Sequence, residues 1–180
     1  VTSGQVSGSG TAQITINPSA NFDGSTEYYI LIDATAFDDV SGNSYAGISS
    51  TTALSFTTVD TTGPSLTSSV PADNATGVAA DTNIILNFSE SVDAESGNIS
   101  IYKSIDGTLV EEIDVTGGQV SGSGSSQITV NPSSDLESGV EYYILIDSTA
   151  FDDSTSNSYA GISNVGDLSF RVLTSNNPLE

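Results

Sequence analysis

A second copy of the same sequence constrains this chain more than any other feature. Residues 1–59 match residues 115–173 at a constant offset of 114 without a gap, and about 37 of the 59 aligned positions are identical. The shared blocks include GQVSGSG, EYYILID, TAFDD, NSYAGIS and LSF. Self-similarity at a fixed spacing marks a repeat architecture. Copies this close imply recent duplication, so the parent protein is expected to carry many of them. On this spacing one complete repeat spans 60–173, and 1–59 is the second half of a preceding repeat. The boundary reads Val59-Asp60-Thr61-Thr62-Gly63-Pro64, a short polar linker with Gly and Pro. The chain starts at Val1 with neither Met nor a signal peptide. The tail, 174–180, ends in Leu179-Glu180 and has the look of a cloning scar. The whole therefore reads as a piece of a longer protein.

Within the complete repeat the apolar residues recur with a period of two, which predicts strands. Ile84, Leu86 and Phe88 share one face of 83–88, with Asn87 on the other. Ile99 and Ile101 alternate with Ser100 and Tyr102, and Ile128 and Val130 flank Thr129. Leu168, Phe170 and Val172 alternate with Ser169 and Arg171. Residues 142–146 are apolar on both faces, as in a strand buried centrally. Turn signals separate these runs: Asp106-Gly107, Gly117-Gly118, Asn131-Pro132 and Ser138-Gly139. No segment has helical periodicity. The expectation is an all-β fold, an immunoglobulin-like β-sandwich in tandem repeats, since the period suits one sandwich of about 100 residues.

The stretch SVPADNATGVAADTNIILNFSESVD resembles the opening of bacterial Ig-like domains of the surface-layer-protein and adhesin type. In both, a Pro-x-Asp turn is followed by a Gly-Val turn and a strand ending in Phe-Ser-Glu. Leu136-x-x-Gly139-x-x-Tyr142 fits the same resemblance, with Tyr142 where such sandwiches carry a corner tyrosine. The usual Asp-x-x-Gly-Asn is kept as Asp39-Val40-Ser41-Gly42-Asn43 and altered to Asp153-Ser154-Thr155-Ser156-Asn157. The resemblance implies tandem modules in adhesins, surface-layer proteins and giant secreted proteins. They act there as spacers and binding platforms, and several relatives bind calcium between modules.

Lys and Arg total 2 against 23 Asp and Glu, a formal charge of −21. Such a chain repels nucleic acid, whose binding needs basic side chains to displace counterions. It attracts cations instead. The plainer reading is that the charge only keeps the protein soluble. Without Cys or His there is no disulfide framework, no thiol or imidazole chemistry and no plausible zinc site. No apolar run approaches the roughly 18 residues a membrane span needs, so direct insertion is not expected. Ser is abundant, but no base accompanies it. An isopeptide crosslink would need Lys103 buried beside a carboxylate. The expectation is that the chain is not an enzyme.

Strand order in such a sandwich brings three segments to one end. That end is expected to gather Asp60, Glu90, Asp93 and Glu95 with Asp147, Asp152, Asp153 and Asn157. All are oxygen donors, and so many carboxylates repel one another unless a cation neutralises them or they stay well solvated. Calcium, which takes six to eight oxygens in flexible geometry, is the natural candidate. The alternative is that these acids decorate wet loops. Phe151 and Tyr159, with their copies Phe37 and Tyr45, are expected to pin the long loop to the sandwich.

The functional expectation is a structural spacer in a large bacterial cell-surface or secreted protein, stiffened by calcium and flanked by neighbouring Ig-like repeats. A carbohydrate- or surface-binding module, and an accessory domain of a secreted enzyme, are the alternatives. Residues 1–59 lack the strands that would cover Ile14, Ile16, Ile30, Ile32, Leu54 and Phe56. A homodimer through that half is therefore also expected.

Overall fold

Alternating apolar residues make the strands that carry the core. The structure, a computed structural model, describes residues 4–175, and among these no helix forms. The ends, including 176–180 of the expected tail, lie outside the described residues. The chain divides into two units, Val1–Thr61 and Thr62–Glu180. The division falls in the polar linker that the repeat spacing picks out.

In the first unit β1 (Val6–Ser7) pairs with β2 (Thr15–Ile16), and β3 (Glu27–Tyr29) pairs with β4 (Ser55–Thr57). These are two separate two-stranded sheets.

The second unit is a β-sandwich of two five-stranded sheets. Its strands are β5 (Leu66–Val70), β6 (Ala75–Val78), β7 (Ile84–Ala94), β8 (Asn98–Lys103), β9 (Leu109–Asp114), β10 (Val120–Ser121), β11 (Ser125–Val130), β12 (Glu141–Ile146), β13 (Phe151–Asp152) and β14 (Ser169–Val172). One sheet runs β10-β11-β7-β13, with β5 also paired to β7. The other runs β6-β14-β12-β8-β9, and only its β6–β14 pair is parallel.

The core forms where the period-two faces meet. Ile84, Leu86 and Phe88 of β7 and Ile128 and Val130 of β11 are buried, as are Ile99 and Ile101 of β8. Tyr142, Ile144 and Ile146 of β12 and Phe170 and Val172 of β14 complete it. β12 is central, between β14 and β8. Its outer face is half-buried, and there Tyr143 stacks on Tyr102 with ring centroids 5.1 Å apart.

Both copies of the corner tyrosine make the same bond. The Tyr142 hydroxyl accepts the Glu137 N–H at 2.8 Å, and the Tyr28 hydroxyl accepts the Asp23 N–H at 2.9 Å. The repeated Ser-Gly-Ser-Gly turn also has a steric cause. Gly122 has φ +100°, and a Cβ there would lie 2.1 Å from the Gln127 carbonyl oxygen. Gly8 has φ +93° and the same close approach to Gln13. Only glycine fits such a site without strain.

Lys103 does not point into the core. It is partly exposed and forms an ion pair with Glu137, so no buried lysine–carboxylate site exists there.

Candidate metal centre

Glu90 and Asp93 lie inside β7, which runs eleven residues. The strand continues past Phe88 because Val92 returns to the core, 1% exposed, and its neighbours follow it. β11 reaches Val92 through Ser125, and β13 pairs Phe151 with Ala94. Asp147 directly follows β12, Asp152 lies in β13, and Asp153 and Asn157 bound the loop after it. Asp60 is half-buried in the linker.

Asp153 is the most firmly held carboxylate of the group and is buried. Its Oδ1 accepts the Thr155 N–H at 2.7 Å, the Asn157 N–H at 2.9 Å and the Thr155 hydroxyl at 3.0 Å. Its Oδ2 accepts the Asn157 side-chain amide at 2.8 Å. The loop closes when the Asp153 N–H donates to the Asn157 carbonyl at 3.0 Å. The copy repeats this geometry: Asp39 Oδ1 accepts the Ser41 and Asn43 N–H groups, and Oδ2 accepts the Asn43 amide, each at 2.8 Å. The tight loop needs a left-handed residue before the asparagine. Gly42 supplies it with φ 81° and Ser156 with φ 65°. An aspartate that accepts its own loop's N–H groups is a local staple, and the Asp-x-x-x-Asn spacing was its sequence signal.

Burial alone would raise the Asp153 pKa, but the bonds from Asn157 and Thr155 together outweigh it and lower the pKa to about 2. A depressed carboxylate pKa stabilises the fold above its unfolded value of 3.8. That stability disappears as the pH falls from there towards about 2. Scanning calorimetry from pH 6 to pH 2 should therefore show a Tm loss in this window that Asp153→Asn lacks. Parallel Tm profiles for the two proteins would show that this carboxylate contributes no acid-labile stability.

The other acids fall into separate groups. Carboxylate oxygens of Glu90 and Asp153 lie within 4.8 Å of each other. Asp93 and Asp152 are directly opposed across β7 and β13, an arrangement that is unfavourable for like charges. Asp93 also accepts the Ser123 hydroxyl at 3.4 Å. Asp147 is engaged at the β7–β8 turn, where it accepts the Asn98 N–H at 2.8 Å. The two basic side chains pair elsewhere, Lys103 with Glu137 and Arg171 with Glu141. Glu90 and Asp153 thus form a close pair of hard oxygen donors, which suits a hard cation.

Aromatic packing holds this end rigid. Phe88 meets Phe151 at 5.4 Å and Tyr159 at 5.2 Å between ring centroids, and Phe151 is fully buried. The chain enters the second unit tightly against the same loop. A Cβ on Gly63 would lie 2.4 Å from the Ser158 carbonyl oxygen.

A family model described as bacterial Ig-like domain matches residues 1–58 and 60–172. Among solved structures, the chain is similar to CopC from Methylosinus trichosporium OB3b. The TM-score is 0.46 and the identity 22%, over 64% of this chain and 99% of that one. No curated protein matches the chain.

Proposed function

Since the chain belongs to the bacterial Ig-like domain family, we propose that it is a structural spacer of a large secreted or cell-surface protein, stiffened by calcium where one repeat leads into the next. The observation that carries this reading is the close approach of the Glu90 and Asp153 carboxylates beside the seat of the linker on Ser158. Asp60 stands three residues before Gly63, so chain length alone keeps it within about 11 Å of that seat. Asp60, Glu90 and Asp153 would hold the ion. Asn157 braces Asp153, while Asp93 and Asp152, opposed across β7 and β13, and Asp147, at the β7–β8 turn, stand in separate groups. The ion would neutralise carboxylates that otherwise repel and would tie the linker to the module that follows.

A spacer has no substrate. The purified chain should hydrolyse no esters, peptides or common glycosides, and glycan arrays should show no saturable binding. The motivation is the absence of His and Cys and the presence of only two basic residues to tune a site. Turnover that vanished on mutating a carboxylate would refute the spacer reading in favour of an enzyme. Saturable glycan binding would refute it in favour of a carbohydrate-binding module.

A further inference from the structure

The first unit presents a face that its own repeat copy keeps covered. Ile14 is 36% and Ile16 49% exposed, whereas their equivalents Ile128 and Val130 are fully buried. Leu54 and Phe56 are 41% and 38% exposed, against 2% and 1% for Leu168 and Phe170. The strand edges differ in the same way. In the second unit β11 pairs with β7, β12 with β8 and β14 with β6. The equivalents in the first unit, β2, β3 and β4, have no such partners among the described residues. A groove of about 680 Å³ opens there between Ile14, Ile32, Phe37 and Tyr45. In the second unit the equivalents of Phe37 and Tyr45 are Phe151 and Tyr159, and these rings enclose Phe88.

We infer that this face is a docking site for a polypeptide segment with the pattern of residues 62–114, taken up by strand addition. The repeat itself defines the occupant. A β7-like strand pairs with β2, placing its Ile84 opposite Ile16 and its Leu86 opposite Ile14, as the register of β7 on β11 dictates. A β8-like strand pairs with β3, placing its Tyr102 opposite Tyr29. The Phe88 ring fills the groove. Main-chain bonds at the open edges give affinity and alternate side chains give specificity, as in other strand-addition complexes. A second copy of the same face would bring aromatic rings such as Phe22 and Phe56, which are exposed, but no strand of this pattern. The inference stands independently of the spacer and calcium readings.

The test adds a polypeptide of residues 62–114, diluted from denaturant, to the full 180-residue chain. A one-to-one complex is expected, with slowed amide exchange at 14–16, 28–32 and 54–56. The sequence has no Cys, so a Tyr29→Cys chain and a Tyr102→Cys segment should form one specific disulfide. Phe88→Ala in the segment should weaken binding roughly tenfold or more, as loss of a central aromatic anchor does. Ile16→Asp in the chain, at an exposed position, should abolish binding while the second unit keeps its Tm. The inference is overturned if no complex forms, if protection is confined to 115–173, if Ile16→Asp binds as well as the parent chain, or if a homodimer without the segment protects the same amides.

Discussion

Phe170→Ala is expected to destabilise the second unit by about 3–5 kcal/mol, the usual cost of emptying a buried phenylalanine site. Phe56→Ala, at the equivalent position of the first unit, should cost about 1 kcal/mol. The residue, the Leu-Ser-Phe context and the paired strand are the same. Only burial differs, 1% exposed against 38%. Phe170 sits on β14 against Tyr142, ring centroids 6.1 Å apart, and its removal leaves a cavity between the sheets. Phe56 retains Phe22 at 5.4 Å and Tyr28 at 6.0 Å, and aromatic pairs of this kind contribute about 0.5–1.5 kcal/mol. For a domain of this size each kcal/mol moves Tm by about 4–8 °C. Thermal melts should therefore show a Tm loss above about 12 °C for Phe170→Ala and only a few degrees for Phe56→Ala. Equal losses would mean that the first unit buries Phe56 as fully as the second buries Phe170.

Much of this contrast was legible in the sequence, because period-two patterning and the 114-residue offset are local or self-referential signals. They located the inward residues of β8, β11 and β14, while β12 was legible as a run apolar on both faces and the corner tyrosine only through the resemblance to bacterial Ig-like domains. β7 was legible only as far as Phe88. Its next residues are Ser89, Glu90 and Ser91, with weak strand preference. They stay extended because Val92 returns to the core and because β11 pairs with Val92 and β13 with Asp93 and Ala94, from 30 to 60 residues away. β5, β6 and β9 were missed for a similar reason: their half-exposed faces follow from pairing to β7, β14 and β8.

The site was legible as a composition of donors, not as a geometry. Strand register, invisible in a linear sequence, sets Asp93 against Asp152 and sends Asp147 to the β7–β8 turn. Asp153 and Asn157 were legible as oxygen donors that strand order brings to one end of the sandwich, not as the two ends of a hydrogen-bonded loop. Asp153 takes main-chain N–H groups as well as the Thr155 hydroxyl and the Asn157 amide, and the main-chain donors carry no sequence signature.

Calcium should produce the second large effect. A dissociation constant of about 10⁻⁴ to 10⁻³ M is expected, the range of calcium-binding extracellular modules. At free calcium 100 times that constant the folded state gains about 2.7 kcal/mol. The gain arises because the ion relieves the repulsion between the Glu90 and Asp153 carboxylates, held within 4.8 Å of each other. Glu90→Gln should remove the gain. Asp106→Ala should preserve it, since Asp106 lies in the turn between β8 and β9, where it accepts the Thr108 N–H at 3.0 Å. The most direct test is a calorimetric titration of calcium into the chelator-treated chain, paired with melts at the two ends of the titration. The spacer account predicts a saturable heat and a raised Tm, both lost in Glu90→Gln. No heat and an unchanged Tm would contradict it.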